Sequence, residues 1–352
     1  MFLLIYKYMK IITPNKKGSS ELNSLIDIKN AIFLAGPCPR KNYNEDDWRT
    51  EAIEILKELN FDGVVLNPTN PNFKDINLEK QTKWELEAMY KASAIVFWIP
   101  RSEEHPAFTT NIEIGAQFGK PGIFVGFPKN SWKNEYIKVR CDIAGQEVFT
   151  SLKTMLKAVV RDLTRSPKDW FISDTHFSQQ KTFDIAKRPF RNIEDMDLNI
   201  ISNWNKTVRM QDTVYHLGDF GSNFDILKCL NYKQMNFVLG NYEKDNQDYI
   251  NELKKYKDIK IYNNDELVYK YRGESYILKH EPLGGSNFNY KKDNFYVFGH
   301  IHGKQCFKRN GVDVGVDGPF SRYFPIDSET LQWLRTTVLK YSDENVFTDL
   351  CL

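Results

Sequence analysis

The 352 residues predict an α/β protein built as two domains. Three features of the sequence lead there. Short β-rich runs alternate with helical periods from Ala31 onward; a polar stretch, Thr164-Arg-Ser-Pro-Lys168, interrupts the alternation near the middle; and the chain is longer than one core normally serves. The expected boundaries are an N-terminal extension over 1–29, a first domain over 30–165, a junction over 166–168 and a second domain over 169–352.

In the first domain, Ala31-Ile-Phe-Leu-Ala35 reads as a strand ending in Gly36-Pro37. Trp48 to Leu59 carries Ala52, Ile55, Leu56 and Leu59 at the spacing of one helix face. Val64 to Leu66 is a second strand closed by Asn67-Pro68, Thr82 to Ala92 a helix, and Ala94 to Ile99 a strand followed by Pro100 and Arg101. Asn111 to Phe118 reads as a helix, Gly122 to Val125 as a strand, and Ser151 to Leu163 as a last helix with Leu152, Met155, Leu156 and Val159 in register. Strand and helix alternate, so the sheet should be mostly parallel and Rossmann-like, flanked by helices.

Ligands of such sheets sit beyond the carboxyl ends of the strands, which singles out Gly36, Pro37, Cys38, Arg40, Asn67, Pro68, Pro100 and Arg101. Glycine at 36 permits close backbone approach to a ligand, or simply a tight turn. Two acids stand out as well. Glu85 is expected in the first turn of its helix, where a carboxylate gains from the dipole and can serve as a plain cap. Glu113 lies between Ile112 and Ile114 beside hydroxyl and amide side chains at the expected sheet mouth. No Gly-x-Gly-x-x-Gly and no Walker loop occurs.

Phe33-Leu-Ala-Gly-Pro37, Trp48-Arg49, Asn67-Pro68, Trp84-Glu85, Phe97-Trp98 and Asn111-Ile-Glu-Ile-Gly115 together resemble the nucleoside 2-deoxyribosyltransferase-like family over about residues 30 to 165. That resemblance implies Glu113 as the nucleophile at the anomeric carbon and Glu85 as the group that orients it, with Gly36, Pro37 and Asn111 as candidate substrate contacts. A carboxylate can trap an oxocarbenium-like centre as a covalent ester, splitting one hard displacement into two easier ones.

The second domain repeats one device five times. Ser173-Asp-Thr-His176 follows Asp169 to Ile172, and Leu217-Gly-Asp219 follows Thr213 to His216. Leu239-Gly-Asn241 follows Met235 to Val238, Lys279-His280 follows Ser275 to Leu278, and Gly299-His-Ile-His302 follows Asn294 to Phe298. Each apolar strand ends in the oxygen and imidazole ligands that Mn, Fe, Zn or Ni accept. Residues two apart on an extended chain share a face, so His300 and His302 are expected to leave the strand end together. Helices are expected over 193–208, with Met196, Ile200 and Trp204 on one face, and over 223–230. Later strands follow at 259–262, 267–271, 275–278, 295–298 and 312–316.

The order Asp-x-His, Gly-Asp, Gly-Asn, His, Gly-His-x-His resembles the calcineurin-like metallophosphoesterases, whose fold is a four-layer α/β sandwich. The resemblance implies two divalent metal ions. Asp174, His176, Asp219 and His302 would hold one and Asp219, Asn241, His280 and His300 the other, with Asp219 bridging. One departure stands out: the family follows Gly-Asn with a histidine that protonates the leaving oxygen, whereas this chain has Gly240-Asn-Tyr242-Glu243. General-acid help is worth about 10² to 10⁴ in rate. Either Tyr242 donates its hydroxyl, or His216 or a water takes over, or turnover is weak.

Composition narrows the partners. Hydrophobic residues make up 41% and charged ones 27%, enough for two soluble cores. A net charge of +2 lacks the basic excess of a polymer binder, which favours small phosphorylated or nucleoside ligands over nucleic acid. Five scattered cysteines show no Cys-x-x-Cys spacing and point to a reducing, cytoplasmic setting. The apolar opening Phe2-Leu-Leu-Ile-Tyr6, interrupted by Lys7 and Lys10, is too short for a membrane span, and Met9 could serve as an alternative start. The pattern allows a homo-oligomer. The two halves together read as a bifunctional enzyme of nucleotide metabolism that breaks or exchanges the N-glycosidic bond and hydrolyses phosphoesters. A glycohydrolase acting on NAD or nucleotides, or a nucleotide-sensing domain regulating a phosphodiesterase or nuclease, is the alternative.

Overall fold

The computed structural model describes residues 9–14, 30–38, 47–69, 77–118, 120–263, 267–282, 294–304, 307–308 and 311–338. Two compact units emerge: Met1–Arg165 with Asn205–Arg209, and Ser166–Trp204 with Met210–Leu352. Among the described residues no helix is long and apolar enough to cross a membrane. Arg40, the segment Phe2 to Tyr6 with Lys7, and the cysteines at 306 and 351 lie outside the described residues.

The first unit is a six-stranded, all-parallel sheet. Its elements are β1 (Lys10–Ile12), β2 (Ala31–Ala35), α1 (Trp48–Glu58), β3 (Val64–Leu66), α2 (Leu78–Lys91), β4 (Ala94–Trp98), α3 (Phe108–Gly115), β5 (Ile123–Gly126), α4 (Glu135–Ile143), β6 (Val148–Phe149) and α5 (Leu152–Leu163). The strand order is β1-β3-β2-β4-β5-β6. Strands β2 and β4 are buried at every position, as centre strands covered on both faces must be, which is why they read as unbroken apolar runs. The apolar stripe of α5 (Leu152, Met155, Leu156, Val159 and Leu163) is buried, and the Ser151 side chain caps its first turn. The chain runs from β2 to β3 on one side and returns to β4 on the other, so the order reverses between β2 and β4.

Three local expectations needed correction. The extension supplies the edge strand β1, which a three-residue run that opens on a lysine does not announce. The helix carrying Glu85 begins at Leu78, with Asn77 as its cap, so Glu85 sits in mid-helix and outside the reach of the terminal dipole. Helix α3 begins at Phe108 and not at Asn111.

The second unit stacks two five-stranded sheets. The first, in the order β10-β9-β8-β7-β16, joins Ile259–Tyr262, Gln234–Val238, Thr213–His216, Asp169–Ile172 and Ile326–Asp327, and all but the last run parallel. The second, β11-β12-β13-β15-β14, joins Leu267–Tyr271, Glu274–Leu278, Phe295–Phe298, Gly311–Asp313 and Phe307–Lys308. Phe171, Leu217 and Val238 from the first sheet's strands and their ends share one core with Tyr276, Leu278, Val297 and Val312 from the second. This is an α/β sandwich. Helices Gln180–Ala186, Ile193–Thr207 (up to Trp204), Gln247–Leu253 and Ser328–Trp333 complete it. Met196 and Ile200 are fully buried, as the helical period predicts. The expected helix at 223–230 is a 3₁₀ turn over Phe224–Lys228, capped by Asn223; five residues between two turns are too few for α-helical bonding to propagate.

Candidate metal centre and carboxylate site

The loops after β7 and β8 are zipped together by backbone bonds. Asp174 N–H donates to the Gly218 carbonyl (3.1 Å), His176 N–H to Asp219 (3.0 Å) and Phe177 N–H to Phe220 (2.8 Å). Glu243 closes the next loop onto them: its buried carboxylate accepts from Asp219 N (3.0 Å), Phe220 N (3.0 Å) and Gly240 N. Gly240 N lies 2.6 Å from it. The loop after β13 folds back so that His300 N–H donates to both oxygens of Asp174, at 3.0 and 2.8 Å.

These bonds bring seven side chains into one place. Asp174, His176 and His302 form one group whose ligand atoms lie within 4.8 Å of one another, and Asp219, His280 and His300 form a second. Asp219 Oδ2 stands 3.5 Å from His176 Nε2 and 3.5 Å from His280 Nε2, so it faces both groups. Asn241 Oδ1 lies 2.9 Å from His280 Nε2 and 3.0 Å from His300 Nδ1. The expected ligand set is thus assembled as two clusters around one carboxylate.

The route to that assembly differs from the expected one. His300 and His302 are not alternate residues of an extended strand: β13 stops at Phe298 and both adopt left-handed backbone, with φ of 74° and 50°. Asp174 (57°), His176 (47°) and Asp219 (56°) do the same. Each such residue costs about 1–3 kcal/mol, so five at one place are held by the packing around them and not by local preference. His300 and His302 accordingly turn to different groups.

The donor set fits divalent cations on the chemistry of its own atoms. His176 Nε2 is buried without a hydrogen-bond partner, while its Nδ1 lies 2.6 Å from Gln179 Oε1. His280 Nδ1 faces the Leu217 carbonyl at 2.6 Å, and His302 Nδ1 faces Asp317 Oδ2 at 2.7 Å. Acceptors on Nδ1 keep the proton there and aim the Nε2 lone pair inward, the arrangement metal-ligating imidazoles use. His280 Nε2 and the Asn241 oxygen face each other at 2.9 Å, so a cation, whether a proton or a metal ion, suits the space between them.

Charge in the site points the same way. Burial works against a protonated His280, but its bond to Asp219 and the charges of Asp174 and Asp219 outweigh burial and push its pKa up to about 9. Burial would raise Asp219 too; its bond with His280 and the charges of His280 and His176 hold it below the ordinary carboxylate value. Burial alone dominates at His176 and lowers it. The cluster stabilises added positive charge, in the currency that a proton or a metal can supply.

His216 does not join. It is fully buried, its ring stacks on Phe237 at 5.0 Å, its Nε2 meets Thr175 Oγ1 at 3.1 Å, and burial drives its pKa down to about 3. It is therefore neutral and enclosed, which removes it as a stand-in proton donor. Tyr242 is 44% exposed and sits edge-on to His176, with ring centroids 5.5 Å apart. It reaches the rim that His216 does not.

Several site residues escaped the sequence reading: Glu243, Gln179, Arg188, Asp313 and Asp317. Gly311-Val-Asp-Val-Gly-Val-Asp-Gly318 carried the same signal used elsewhere, acids beside glycine after an apolar strand. Asp313 is fully buried and accepts from Gly315 N (2.7 Å) and Gly303 N (3.2 Å); burial and the charge of Asp174 push it up to about 7.

In the first unit Arg49, which is fully buried, organises the end of β2. Its guanidinium donates to the carbonyls of Leu34 (3.0 Å), Gly36 (2.7 Å) and Pro37 (3.0 Å). Gly36 and Pro37 therefore present their carbonyls to Arg49. A side chain at Gly36 would meet the Trp98 carbonyl at 2.1 Å, so close packing explains that glycine. Asn111 Oδ1 accepts from Arg101 Nη1 at 3.1 Å. Glu113 is pushed up to about 7 by burial and by the charge of Glu85, against the pull of Arg49. Burial also raises Glu85, whose Oε1 accepts from Gln81 at 2.7 Å. A cavity of about 800 Å³ opens at the reversal of strand order, lined by Pro37, Cys38, Asp47, Trp48, Trp98, Pro100 and His105 among others; Glu85 and Glu113 are not among its lining residues.

Comparison with known proteins agrees with both halves. Residues 29–130 match the family model described as nucleoside 2-deoxyribosyltransferase like, and residues 170–330 match the calcineurin-like phosphoesterase superfamily domain. One chain thus holds both domains. An uncharacterized protein of Methanocaldococcus jannaschii is 29% identical over 164 residues, covering 43% of this chain and 82% of its own. A crystal structure of a protein of unknown function from Aquifex aeolicus is 23% identical, covering 48% of this chain and 100% of its own, with a TM-score of 0.38.

A Cβ at Gly299 would stand 2.1 Å from Ser173 Oγ and 2.3 Å from Asp174 Oδ2. Gly299→Ala should push the 173–174 loop off His300 and weaken divalent-ion binding about tenfold or more, read by titration calorimetry with Mn²⁺. Unchanged affinity would contradict the close approach.

Proposed function

We propose that the protein is a bifunctional enzyme of nucleotide metabolism. Its second unit hydrolyses phosphoesters at a two-cation centre, and its first unit cleaves or exchanges N-glycosidic bonds of nucleosides or nucleotides through Glu113. The observation that carries the first half is the position of Asp219 Oδ2, 3.5 Å from one imidazole of each cluster. Asp174, His176 and His302 would hold one ion, and Asn241, His280 and His300 the other. Two such ions, when bound, hold a phosphoryl oxygen and make water a nucleophile near neutral pH. Mn, Fe, Zn and Ni all accept this ligand mixture.

The chain's own part is orientation and protons. Asp219 faces both clusters and would serve both ions, the Nδ1 acceptors fix the imidazole rings, and Tyr242 at the rim would offer its hydroxyl to the leaving oxygen. A phenol is a weaker acid than an imidazolium, so esters with acidic leaving groups, such as phosphoanhydrides, suit this site better than simple alkyl phosphates. Tyr242→His should therefore speed hydrolysis of simple phosphomonoesters, by up to about 10². No gain at any pH would count against the general-acid account.

For the first unit the supporting observation is the raised carboxyl of Glu113, lifted by burial and by the charge of Glu85 and drawn down by that of Arg49. Glu113 attacks as the carboxylate, and its pKa of about 7 lies above the ordinary range. The sign is fixed: the nucleophile is protonated below about pH 7 and ionised above it. Release of free base from nucleosides or deoxynucleotides, followed by chromatography, should rise with pH, reach half its maximum near 7 and level off about one pH unit above that. Glu113→Gln should abolish it and leave phosphate release intact. Base release that survives Glu113→Gln would end this reading.

A further inference from the structure

Arg188 is 4% exposed and lies just beyond helix Gln180–Ala186. A buried guanidinium is costly unless every donor is answered. Here all five are. Nε and Nη2 fork onto Asp317, at 2.9 Å to Oδ1 and 2.9 Å to Oδ2. The second Nη2 proton goes to the carbonyl of Asp174 (2.6 Å), and the two on Nη1 go to the carbonyl of Thr175 (2.8 Å) and to Met196 Sδ (3.3 Å). Asp317 in turn holds His302 Nδ1 at 2.7 Å.

One side chain therefore reaches all three members of a single cluster. It grips the backbone of Asp174, the peptide that leads into His176, and, through Asp317, the ring of His302. In the other cluster, the described side chains of Asp219, Asn241, His280 and His300 bond the Leu217 carbonyl, one another and Tyr242 N–H, and neither Arg188 nor Asp317; the tie across is backbone, His300 N–H donating to the Asp174 carboxylate. The asymmetry is geometric. Asp174 and His176 both sit in left-handed backbone, a conformation their side chains disfavour, and the carbonyls that Arg188 holds are the ones that fix those peptides.

We propose that Arg188, acting through Asp317, is the positioning residue for one ion only, the one held by Asp174, His176 and His302. The inference rests on the two-cation reading of the same site. Arg188 touches neither ion nor substrate; it sets the angle at which three ligands meet. A planar fork does this where a lysine would not, because its two parallel bonds fix the Asp317 carboxylate in plane with the guanidinium.

The test is titration of the full-length chain with Mn²⁺ by calorimetry, together with metal content after dialysis. The wild-type protein should take up two ions. Arg188→Met should loosen one of them about ten- to a hundredfold and leave the other at its wild-type affinity. Asp317→Asn keeps the guanidinium and its backbone bonds and should loosen the same ion in the same direction, so the question stays answerable if Arg188→Met does not fold. A general loss of packing would weaken both ions together. Parallel weakening, or two unchanged ions, in either folded variant overturns the proposal while the two-cation reading stands. A wild-type protein that does not take up two ions overturns that reading instead, and this one with it.

Discussion

Asp219 has one carboxylate and two clusters to serve. Everything around it follows from that constraint. Four imidazoles surround two carboxylates in a small volume, and the carboxylates favour positive charge at His280 while His280 and His176 hold Asp219 ionised. The fold meets that constraint with backbone. Loops from separate strands are tied by N–H bonds into one rim, and Glu243, accepting three N–H groups, locks the Asp219 and Asn241 loops together. The left-handed conformations at Asp174, His176, Asp219, His300 and His302 are the cost of that geometry.

The first unit solves a related problem with the opposite sign. Arg49, buried at the end of β2, spends its donors on the carbonyls of Leu34, Gly36 and Pro37 and so carries a fixed positive charge into the reversal point of the sheet. That charge draws Glu113 down while burial and Glu85 lift it, and the balance falls near 7. A carboxylate poised there is half ionised where most of its kind are fully so. The domain family matched over 29–130 agrees with a nucleoside-transferase-like activity, and the calcineurin-like match over 170–330 agrees with a hydrolase.

Much of this was legible in the sequence, and the residues that were not share a cause. Periodicity located the buried strands and the α5 stripe because apolar residues there face only one solution. Motif order gave all seven metal-ligand candidates, though the reason offered for His300 and His302, alternation on a strand, does not hold. A turn residue's direction depends on φ, which pattern alone does not encode. Glu85 in mid-helix and β1 at the sheet edge were missed because helix starts and three-residue edge strands carry little local signal. Arg188 and Glu243 escaped for another reason. They act through residues distant in the chain, Arg188 on Asp317 across 129 positions, so only the folded structure brings their partners together.

The account turns on two ions sharing Asp219. Electron paramagnetic resonance of the Mn²⁺-loaded protein measures that directly, since ions about 3.5–4 Å apart couple magnetically and separate ions do not. The account predicts the spectrum of an exchange-coupled pair that collapses to isolated-ion lines in Asp219→Asn. Isolated-ion lines from the fully loaded wild-type protein would contradict it.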